Sequence, residues 1–417
     1  MSGKNIGGRS SDMKEVLLHI GIHKTGSSSI QESLKGYADQ TTRSASFQEV
    51  NHSIPMTTIF SKNRYDYHIW RKLGLSRSEV EGKRAEYLDI LEKDISDNRH
   101  ERLIISGEDM STLYEEEKRD LISFFRTHGL NVRVFTFVRD PQDFAASSIQ
   151  EHIKGGAKSL PKISTRYRVR LDEFRKGLPA DCLIVRDFQK TISEFGDIST
   201  GFAKIVGLDI KSPVRANESL SSAATKLIYR LNKLPINTFG SRQRVGARSR
   251  VMALLANEFR QEDGGRLDRN MLSMALSPAE NDEISYLNSE FGIAYPKVSE
   301  AEDVQGVEEY LDDLSDLDVS RLHKIAHLIG APVETSDSID NLLISIYMRA
   351  LISGGLRLED ADMLRDLAMR MEISADFDLS DAYKLMLLAR RARPDGPLIL
   401  KKVEQYEHRL AERRGRS

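Results

Sequence analysis

Short apolar runs and longer amphipathic stretches alternate along the N-terminal half of the chain. The apolar runs are Val16–Ile22, Arg102–Ser106, Val132–Val138 and Cys182–Val185. Runs of this length between turn-forming residues predict buried strands, and the amphipathic stretches between them predict helices. Strands that alternate with helices favour a parallel sheet that is covered by helices. We therefore predict an α/β fold for this part of the chain.

Local signals place several helices between these strands. The predicted helices are Ser28–Tyr37, Ser78–Asn98, Glu115–Thr127 and one that begins at Pro141. Ser78 and Glu81 have the spacing of a capping box, and Asp140 before Pro141 has the pattern of an N-cap followed by the first helical residue. The segment Ala38–Leu75 has weak periodicity, so we expect it to form a long and partly irregular excursion.

The strand signals stop after Thr191, and the rest of the chain has mainly helical periodicity. Amphipathic helices are predicted at Ile339–Ile352, Leu358–Met371 and Ala382–Arg393. Before them, Glu300–Asp318 contains nine acidic residues and no Lys or Arg. We place a boundary here and predict an α/β domain at residues 13–298 and an all-helical region of unknown role at residues 299–417. Amphipathic helices commonly self-associate, so a homo-oligomer formed through this region is one expectation.

Composition and charge limit the classes of function. Of the 417 residues, 40% are hydrophobic and 30% are charged, which is typical of a soluble globular protein with a sizeable core. The net charge of −2 lacks the basic excess of a general nucleic-acid binder. The single cysteine, Cys182, cannot form an intrachain disulfide, Met1–Met13 lacks the apolar core of a secretory signal, and no apolar run is long enough to span a bilayer. We therefore expect a cytoplasmic protein without a membrane span or a nucleic-acid partner.

The loop after the first predicted strand has the composition of an anion-binding site. It reads His23-Lys24-Thr25-Gly26-Ser27-Ser28-Ser29 and lies between a strand and a helix N-terminus. Backbone N–H groups at such a helix end point at a bound anion, and Lys24 and the hydroxyl groups add charge and further donors. The pattern differs from a Walker A loop because Lys24 precedes the glycine. A polar turn that only caps the helix has the same residues, so this segment alone leaves both interpretations open.

A second signal follows the third predicted strand. Arg139 lies at the carboxyl end of this strand, where ligands of open α/β sheets bind, and Ser147 follows in the predicted helix. A guanidinium group binds phosphate in a bidentate way, and a serine hydroxyl could bind the same group. Alternatively, Arg139 pairs with Asp140 or Asp143 to brace the turn, and Ser147 is a surface residue.

Together, the two segments resemble the PAPS-dependent sulfotransferases, which use 3′-phosphoadenosine 5′-phosphosulfate as the sulfuryl donor. In that family, K-[ST]-G-[ST]-[ST] between a strand and a helix holds the 5′-phosphosulfate, and a later strand-end Arg with a Ser in the next helix holds the 3′-phosphate. The segment HIGIHKTGSSSIQ is similar to sequences of the bacterial branch of this family, many of whose members act on carbohydrates. RANESLSSAA at Arg215–Ala224 also resembles that branch. The resemblance covers roughly Glu15–Pro296 and does not reach the C-terminal helices.

The resemblance implies a site and a reaction. The donor would be held by Lys24, Thr25, Gly26, Ser27, Ser28, Ser29, Arg139 and Ser147. The fold would be a P-loop-type parallel sheet flanked by helices, no metal would be needed, and adenosine 3′,5′-bisphosphate would be the product. The acceptor would be a hydroxyl group, and the bacterial branch favours a carbohydrate or glycoconjugate. Lys24 is suited to stabilise the charge that develops on the leaving bisphosphate.

The acceptor hydroxyl needs a base, and two residues are candidates. Glu108 lies just past the second predicted strand, at a position comparable to that of the catalytic glutamate in carbohydrate sulfotransferases, although the surrounding residues differ. Alternatively, Glu108 or Asp109 caps the next helix. His23 is the rival base, since histidine titrates near neutrality, and it could equally be a hydrogen-bonded loop residue.

A stretch without acidic residues, Ser219–Asn257, resembles the basic segment that family members often place near the 3′-phosphate. It contains, around Gly240 and Gly246, the basic residues Arg242, Arg244 and Arg248. This pattern predicts a mobile basic loop that closes over the donor, with Arg242 and Arg244 as donor-binding residues. A solvated basic face has the same pattern.

Two other classes of function stay open at this point. One is a P-loop kinase or another nucleotide-binding protein, although the Walker spacing and a clear strand-end Asp for magnesium are missing from the sequence. The other is a non-catalytic module that binds a nucleotide or a glycan. Magnesium-dependent turnover of ATP would support the first, and bound PAPS without transfer would support the second.

Overall fold

The computed structural model describes most of the chain, which forms two compact units. The described residues are 14–97, 99–210, 220–236, 238, 242–260, 267, 269–298, 306–352, 358–373 and 378–414. Within them, the first unit contains residues 14–148, 162–210 and 269–298, and the second contains residues 149–161, 220–267 and 306–414. The β-sheet belongs to the first unit.

The first unit is built on a five-stranded sheet in which all neighbouring strands are parallel. The strands are β1 (Glu15–His19), β2 (Thr42–Ser44), β3 (Arg102–Ser106), β4 (Asn131–Val138) and β5 (Leu183–Asp187). Their order in the sheet is β2-β3-β1-β4-β5. The predicted α/β class and parallel sheet are therefore confirmed, and every strand except β2 coincides with a predicted apolar run.

The strand order creates a binding position at the centre of the sheet. β1 lies between β3 and β4. After β1 the chain continues to β2 at one edge of the sheet, whereas after β4 it continues to β5 at the opposite edge. Adjacent strands with oppositely directed connections leave a crevice at their carboxyl ends, and ligands of open α/β sheets bind there. The two segments predicted to bind phosphate follow β1 and β4, so both start at this crevice.

At least one helix follows each strand of the sheet, and further helices form the second unit. In chain order they are α1 (Ser27–Leu34), α2 (Ser53–Phe60), α3 (His68–Leu73), α4 (Arg77–Ser96), α5 (Glu115–Thr127), α6 (Pro141–Lys154), α7 (Tyr167–Gly177), α8 (Phe188–Phe195), α9 (Ile198–Val206), α10 (Ser222–Lys233), α11 (Arg242–Glu258), α12 (Arg269–Ala275), α13 (Glu280–Phe291), α14 (Val307–Asp312), α15 (Val319–Ile329), α16 (Ile339–Ile352), α17 (Leu358–Ile373), α18 (Leu379–Ala392) and α19 (Pro397–Arg414). In the part of the chain that the structure describes, none of them is long and apolar enough to cross a membrane.

The core of the first unit lies where α9 packs on the sheet. Leu17, Ile104 and Phe135 come from the three central strands, and Ile198 and Phe202 come from α9. Each of these side chains is buried. Complete burial of a side chain of this size contributes about 1.5–3 kcal/mol to stability, so this cluster fixes α9 against the sheet.

The segment before β3 confirms one prediction and corrects another. The excursion Ala38–Leu75 is partly irregular, as expected, and contains the short elements β2, α2 and α3. The capping box of α4 lies two residues earlier than predicted, because Ser76 and Glu79 exchange the capping hydrogen bonds. The carboxylate of Glu81 instead accepts a hydrogen bond of 2.6 Å from the Tyr65 hydroxyl group.

The second unit consists of helices in its described residues. The predicted helix Ile339–Ile352 has those bounds in the structure. α17 and α18 overlap the other two predicted helices, with ends that differ by at most three residues. These two helices and α19 share an apolar cluster that includes Ala368, Met386 and Tyr406.

The predicted basic loop is a helix in the part that the structure describes. α11 begins at Arg242, whose side chain lies outside the described part, and Gly240 lies outside it altogether. Arg244 is exposed on α11. Arg248 is 5% exposed and donates hydrogen bonds to the carbonyl oxygens of Ile153 and Lys154, at 3.0 and 2.7 Å, so it stabilises the second unit. The loop conformation was therefore wrong, and the binding role of Arg242 and Arg244 stays a prediction.

The predicted boundary after residue 298 falls on residues outside the described part, as do residues 215–219 of the family-like segment. In the structure, the described residues of 220–260 group with the second compact unit. The domain 13–298 was predicted from the acid-rich stretch Glu300–Asp318 that follows it, and its extent stays a prediction.

We expect the free energy of unfolding to fall as the pH decreases from about 6.5 to about 4. Burial lowers the pKa of both His19 and His52 from 6.5 to about 4, with Glu108 partly opposing the shift at His19. In that interval the unfolded chain binds protons that the folded chain does not, so acidification favours unfolding. Each histidine should contribute a loss of about 3 kcal/mol.

Urea unfolding at several pH values would measure this dependence in the wild type and in His52→Asn. The asparagine oxygen can replace His52 Nδ1 as the acceptor for the Ser106 N–H group, a bond of 3.1 Å. The variant should lose about half of the pH dependence, whereas the exposed control His68→Asn should keep all of it. Equal pH dependence in His52→Asn and the wild type would contradict the prediction.

Candidate active site

The loop after β1 turns sharply between the strand and α1. Gly26 is the N-cap residue of α1 and has a φ of 77°, in the left-handed region that favours glycine. A Cβ atom on Gly26 would lie 2.7 Å from Cγ2 of Ile198, so this position also has no space for a side chain. Lys24 has a φ of 68°, which is uncommon for a residue other than glycine. Unusual backbone conformations of this kind often occur at functional sites.

The hydroxyl-bearing residues of the loop lie on or next to the first turn of α1. The buried Thr25 hydroxyl group donates to the Ile22 carbonyl oxygen and stabilises the turn. Ser27 is 4% exposed, and its hydroxyl oxygen has no hydrogen-bond partner among the described residues. Ser28 and Ser29 follow it, and the Ser29 N–H group donates to the Gly26 carbonyl oxygen at 3.0 Å, whereas the first N–H groups of a helix generally have no partner within it. The turn therefore offers donors that an anion could use.

Arg139 connects the end of β4 to this loop. Its Nη1 atom donates a hydrogen bond of 3.1 Å to the Lys24 carbonyl oxygen. Its guanidinium carbon lies 5.0 Å from the centre of the Phe188 ring, at the start of α8. Asp140, the next residue, pairs with Arg269 at 2.9 Å. The two segments predicted to bind phosphate thus meet at the crevice between β1 and β4.

Tyr167 fixes the backbone of Arg139. The fully buried Tyr167 hydroxyl group accepts a hydrogen bond of 3.1 Å from the Arg139 N–H group and donates one to the Arg139 carbonyl oxygen. Burial raises the pKa of Tyr167, so its hydroxyl group stays protonated and can serve as donor and acceptor at once. Ser147 lies half-buried on α6, after the N-cap at Asp140 that accepts from the Gln142 N–H group at 2.9 Å.

The two candidate bases form a hydrogen-bonded pair. His23 Nδ1 lies 3.0 Å from Oε2 of Glu108, and His23 Nε2 lies 3.8 Å from Oδ1 of Asp109. Both acids belong to the 3-10 turn Glu108–Thr112 that follows β3. The Tyr67 hydroxyl group donates a hydrogen bond of 2.7 Å to Asp109. The His23 side chain is 40% exposed, so solvent or a substrate can reach the imidazole.

The charge state of Glu108 sets the direction of this hydrogen bond. Burial raises the pKa of Glu108, but the hydrogen bond from His23 and the positive charges of His23 and Lys24 outweigh burial, so the pKa lies below its usual range. An ionised carboxylate can only accept, so Nδ1 of His23 carries the proton in this hydrogen bond. The alternative that Glu108 caps α5 fails, because Glu117 accepts from the Tyr114 N–H group at 2.8 Å there.

A close backbone approach holds the turn that carries Glu108. A Cβ atom on Gly107 would lie 2.4 Å from the backbone nitrogen of Ser53, at the start of α2. The Gly107 N–H group donates to the His19 carbonyl oxygen at 3.0 Å. The Asp109 N–H group donates to the Ser53 hydroxyl oxygen at 3.0 Å. These contacts attach the turn to both β1 and α2.

A wide-open cavity of about 530 Å³ lies beside Asp140, the residue after Arg139, at the carboxyl ends of β4 and β5. Its lining includes Asp140, Asp187, Lys190 and Tyr295. This volume is within the usual range for small-molecule sites. Burial, followed by the nearby Asp187, raises the pKa of Tyr295, so its hydroxyl group stays protonated.

Sequence reasoning missed the residues that support the site. Tyr167 and Phe188 contact Arg139, and Tyr67 contacts Asp109. No signal in the sequence indicated the roles of Tyr167 and Phe188, because their contacts link residues that are far apart in the chain. Arg242 and Arg244, in contrast, belong to the second unit.

Tyr167→Phe should lower the free energy of unfolding by about 1–3 kcal/mol, because the buried N–H and carbonyl groups of Arg139 would lose their partner. Chemical denaturation would measure the loss. Tyr114→Phe, which alters a side chain that is 64% exposed, is the matched control and should change stability little. Equal stability of the two variants would show that the Tyr167 hydroxyl group does not hold the Arg139 backbone.

The chain was compared with known proteins at the level of both sequence and structure. A comparison with models of known protein families, with curated proteins and with solved structures found nothing similar to this chain.

Proposed function

We propose that the protein is a sulfotransferase that transfers the sulfuryl group of PAPS to a hydroxyl group of a carbohydrate or glycoconjugate. The observation that carries this proposal is the 3.1 Å hydrogen bond from Arg139 Nη1 to the Lys24 carbonyl oxygen. It brings the segment suited to a phosphosulfate and the segment suited to a 3′-phosphate to the same crevice. A polar turn that merely capped α1 would not need a strand-end arginine beside it.

The residues at the crevice fit the two anionic groups of the donor. The first turn of α1, the Lys24 side chain and the buried Ser27 hydroxyl group would hold the 5′-phosphosulfate. Arg139 and Ser147 would hold the 3′-phosphate, and the cavity beside Asp140 has space for the nucleoside. As the donor substrate, PAPS would supply the sulfuryl group, and adenosine 3′,5′-bisphosphate would leave. Lys24 would stabilise the charge that develops on the leaving oxygen.

The geometry favours His23 as the base and Glu108 as the residue that positions it. His23 Nε2 would accept the proton of the acceptor hydroxyl while that oxygen forms the bond to sulfur and the bond from sulfur to the leaving phosphate oxygen breaks. Glu108 holds Nδ1 protonated and stabilises the imidazolium that forms, and Asp109 lies 3.8 Å from Nε2. The same division of roles occurs in Ser-His-Asp enzymes. This reverses the order of the two base candidates that the sequence favoured.

Adenosine 3′,5′-bisphosphate should bind without magnesium, and Arg139→Ala should weaken binding by about 10- to 100-fold, because a charge-assisted hydrogen bond contributes about 1.5–3 kcal/mol. Calorimetric titration in the presence of a chelator would measure both affinities, with ATP titrated in parallel. Arg133→Ala is the matched control, since Arg133 lies on the same strand but pairs with Glu15 at 3.5 Å.

The outcomes of this titration separate the rival functions. Absence of bisphosphate binding, or equal affinity in Arg139→Ala and the wild type, would overturn the proposed donor site. Binding of ATP that requires magnesium would favour a kinase. Bisphosphate binding without sulfuryl transfer to any acceptor in a carbohydrate screen would favour a non-catalytic module.

His23→Ala should lower kcat by about 10²–10⁴-fold, and added imidazole should restore part of the activity, because the free imidazole can take up the proton. Transfer of labelled sulfate from PAPS to a carbohydrate found in the screen would be the assay. His128→Ala, an exposed histidine on another element, should keep full activity. If imidazole fails to restore His23→Ala while formate restores Glu108→Ala, then Glu108 is the base.

A further inference from the structure

One face of α17 is buried, and the opposite face is exposed and rich in apolar residues. Ala361 and Ala368 are fully buried in the apolar cluster that α17 shares with α18 and α19. On the other face, Met363, Leu367 and Ile373 have exposed fractions of 64%, 46% and 85%. A stripe of exposed apolar side chains on a soluble protein commonly marks an interaction site. The exposed face of α17 is therefore a candidate interface.

Two opposite charges lie between these apolar residues. Asp366 and Arg370 are both exposed. Together with Met363 and Ile373 they form a series with intervals of three, four and three residues. At about 100° per residue, this spacing keeps the four side chains within roughly a third of the helix circumference. It is also the spacing by which two helices pack along their length.

The contacts within α17 leave both charges accessible to a partner. Asp366 accepts from Arg365 through Oδ1 at 2.8 Å, and the Asp366 side chain is still 58% exposed. Arg365 also contacts Asp362, so its charge is shared between two carboxylates. In the part of the chain that the structure describes, no carboxylate lies within 4.0 Å of the Arg370 guanidinium group. Asp366 and Arg370 thus do not pair with each other, although their spacing on the helix would allow it.

The stripe is complementary to its own reverse. In two antiparallel copies of α17 that are related by a two-fold axis midway between Met363 and Ile373, these two residues face each other across the interface. Asp366 of one copy then faces Arg370 of the other, and each contact occurs twice, as in every isologous interface. In a parallel pair, each charge would instead face its like. The sequence of charges along the stripe therefore favours a second copy of the chain in the antiparallel orientation.

We propose that two copies of the chain associate through antiparallel α17 helices, with Met363, Leu367 and Ile373 in apolar contact and with two ion pairs between Asp366 and Arg370. This inference does not depend on the proposed function. Burial of the apolar side chains would supply most of the affinity, and the ion pairs would select the orientation. One helix from each copy makes a small interface, so we expect a dissociation constant of about 1–100 μM.

Sedimentation equilibrium of the full-length chain at about 1–200 μM would measure the association. Arg370→Asp brings two carboxylates together at each charged contact, and Asp366→Arg brings two guanidinium groups together. Each variant alone should dimerise at least about tenfold more weakly than the wild type. An equimolar mixture of the two variants should form a heterodimer about as tight as the wild-type dimer, because acid again faces base.

An apolar variant tests the other half of the interface. Leu367→Ser should raise the dissociation constant at least about tenfold, because less apolar surface is buried between the copies. Leu73→Ser is the matched control, since Leu73 is 63% exposed on α3 in the first unit, and it should dimerise like the wild type. Thermal unfolding verifies that each variant is folded, and Arg370→Gln with Asp366→Asn replaces the charge reversals if either of them destabilises α17.

Three results would overturn the inference. The first is a wild-type chain that stays monomeric up to about 200 μM. The second is an unchanged dissociation constant in Arg370→Asp or in Leu367→Ser, which would place any dimer contact elsewhere. The third is a mixture of Arg370→Asp and Asp366→Arg that associates no more tightly than either variant alone.

Discussion

The hydrogen bond between the Arg139 guanidinium group and the Lys24 carbonyl oxygen joins the ends of the two central strands, and the candidate site depends on it. It is possible only because the parallel sheet places β1 beside β4, with their carboxyl ends at one edge. Tyr167 holds the backbone of Arg139 from one side, and the Phe188 ring packs against its guanidinium group. The side chain is therefore oriented before any ligand arrives, which reduces the ordering cost of binding.

The charged groups at the carboxyl edge of the sheet form a positive and a negative region, according to the strand that each group follows. Lys24 and Arg139 follow β1 and β4 and make the centre of the edge positive. Glu108 and Asp109 follow β3, on the other side of β1, and place negative charge there. His23 bridges the two regions, because its backbone belongs to the positive loop and its ring contacts both acids. One sheet edge thus places two basic side chains next to an imidazole ring that contacts two acids.

The sequence predicts those parts of the structure that depend on local patterns. The runs that became β1, β3, β4 and β5 are apolar enough to be recognised, whereas β2 has three residues, Thr42–Ser44, and takes its conformation from pairing with β3. Two Ser-x-x-Glu boxes overlap at the start of α4, and local pattern cannot rank them. Contacts to Tyr65 and Arg64 occupy Glu81 and leave Glu79 as the capping residue. The pairing of His23 with Glu108, and the burial of Arg248 against backbone oxygens, likewise arise from packing between distant segments.

Lys24 combines an unfavourable backbone with a side chain that the proposed reaction requires. A left-handed residue other than glycine costs on the order of 1 kcal/mol, and glycine at this position would relieve that cost but remove the positive charge. Stability and activity therefore select for different residues at position 24. Random variants screened only for resistance to heat would tend to accumulate small or flexible residues here, while selection for turnover would keep the lysine. Under the proposed function, the conformation of this single residue makes the thermal tolerance of the protein a poor guide to its rate of turnover.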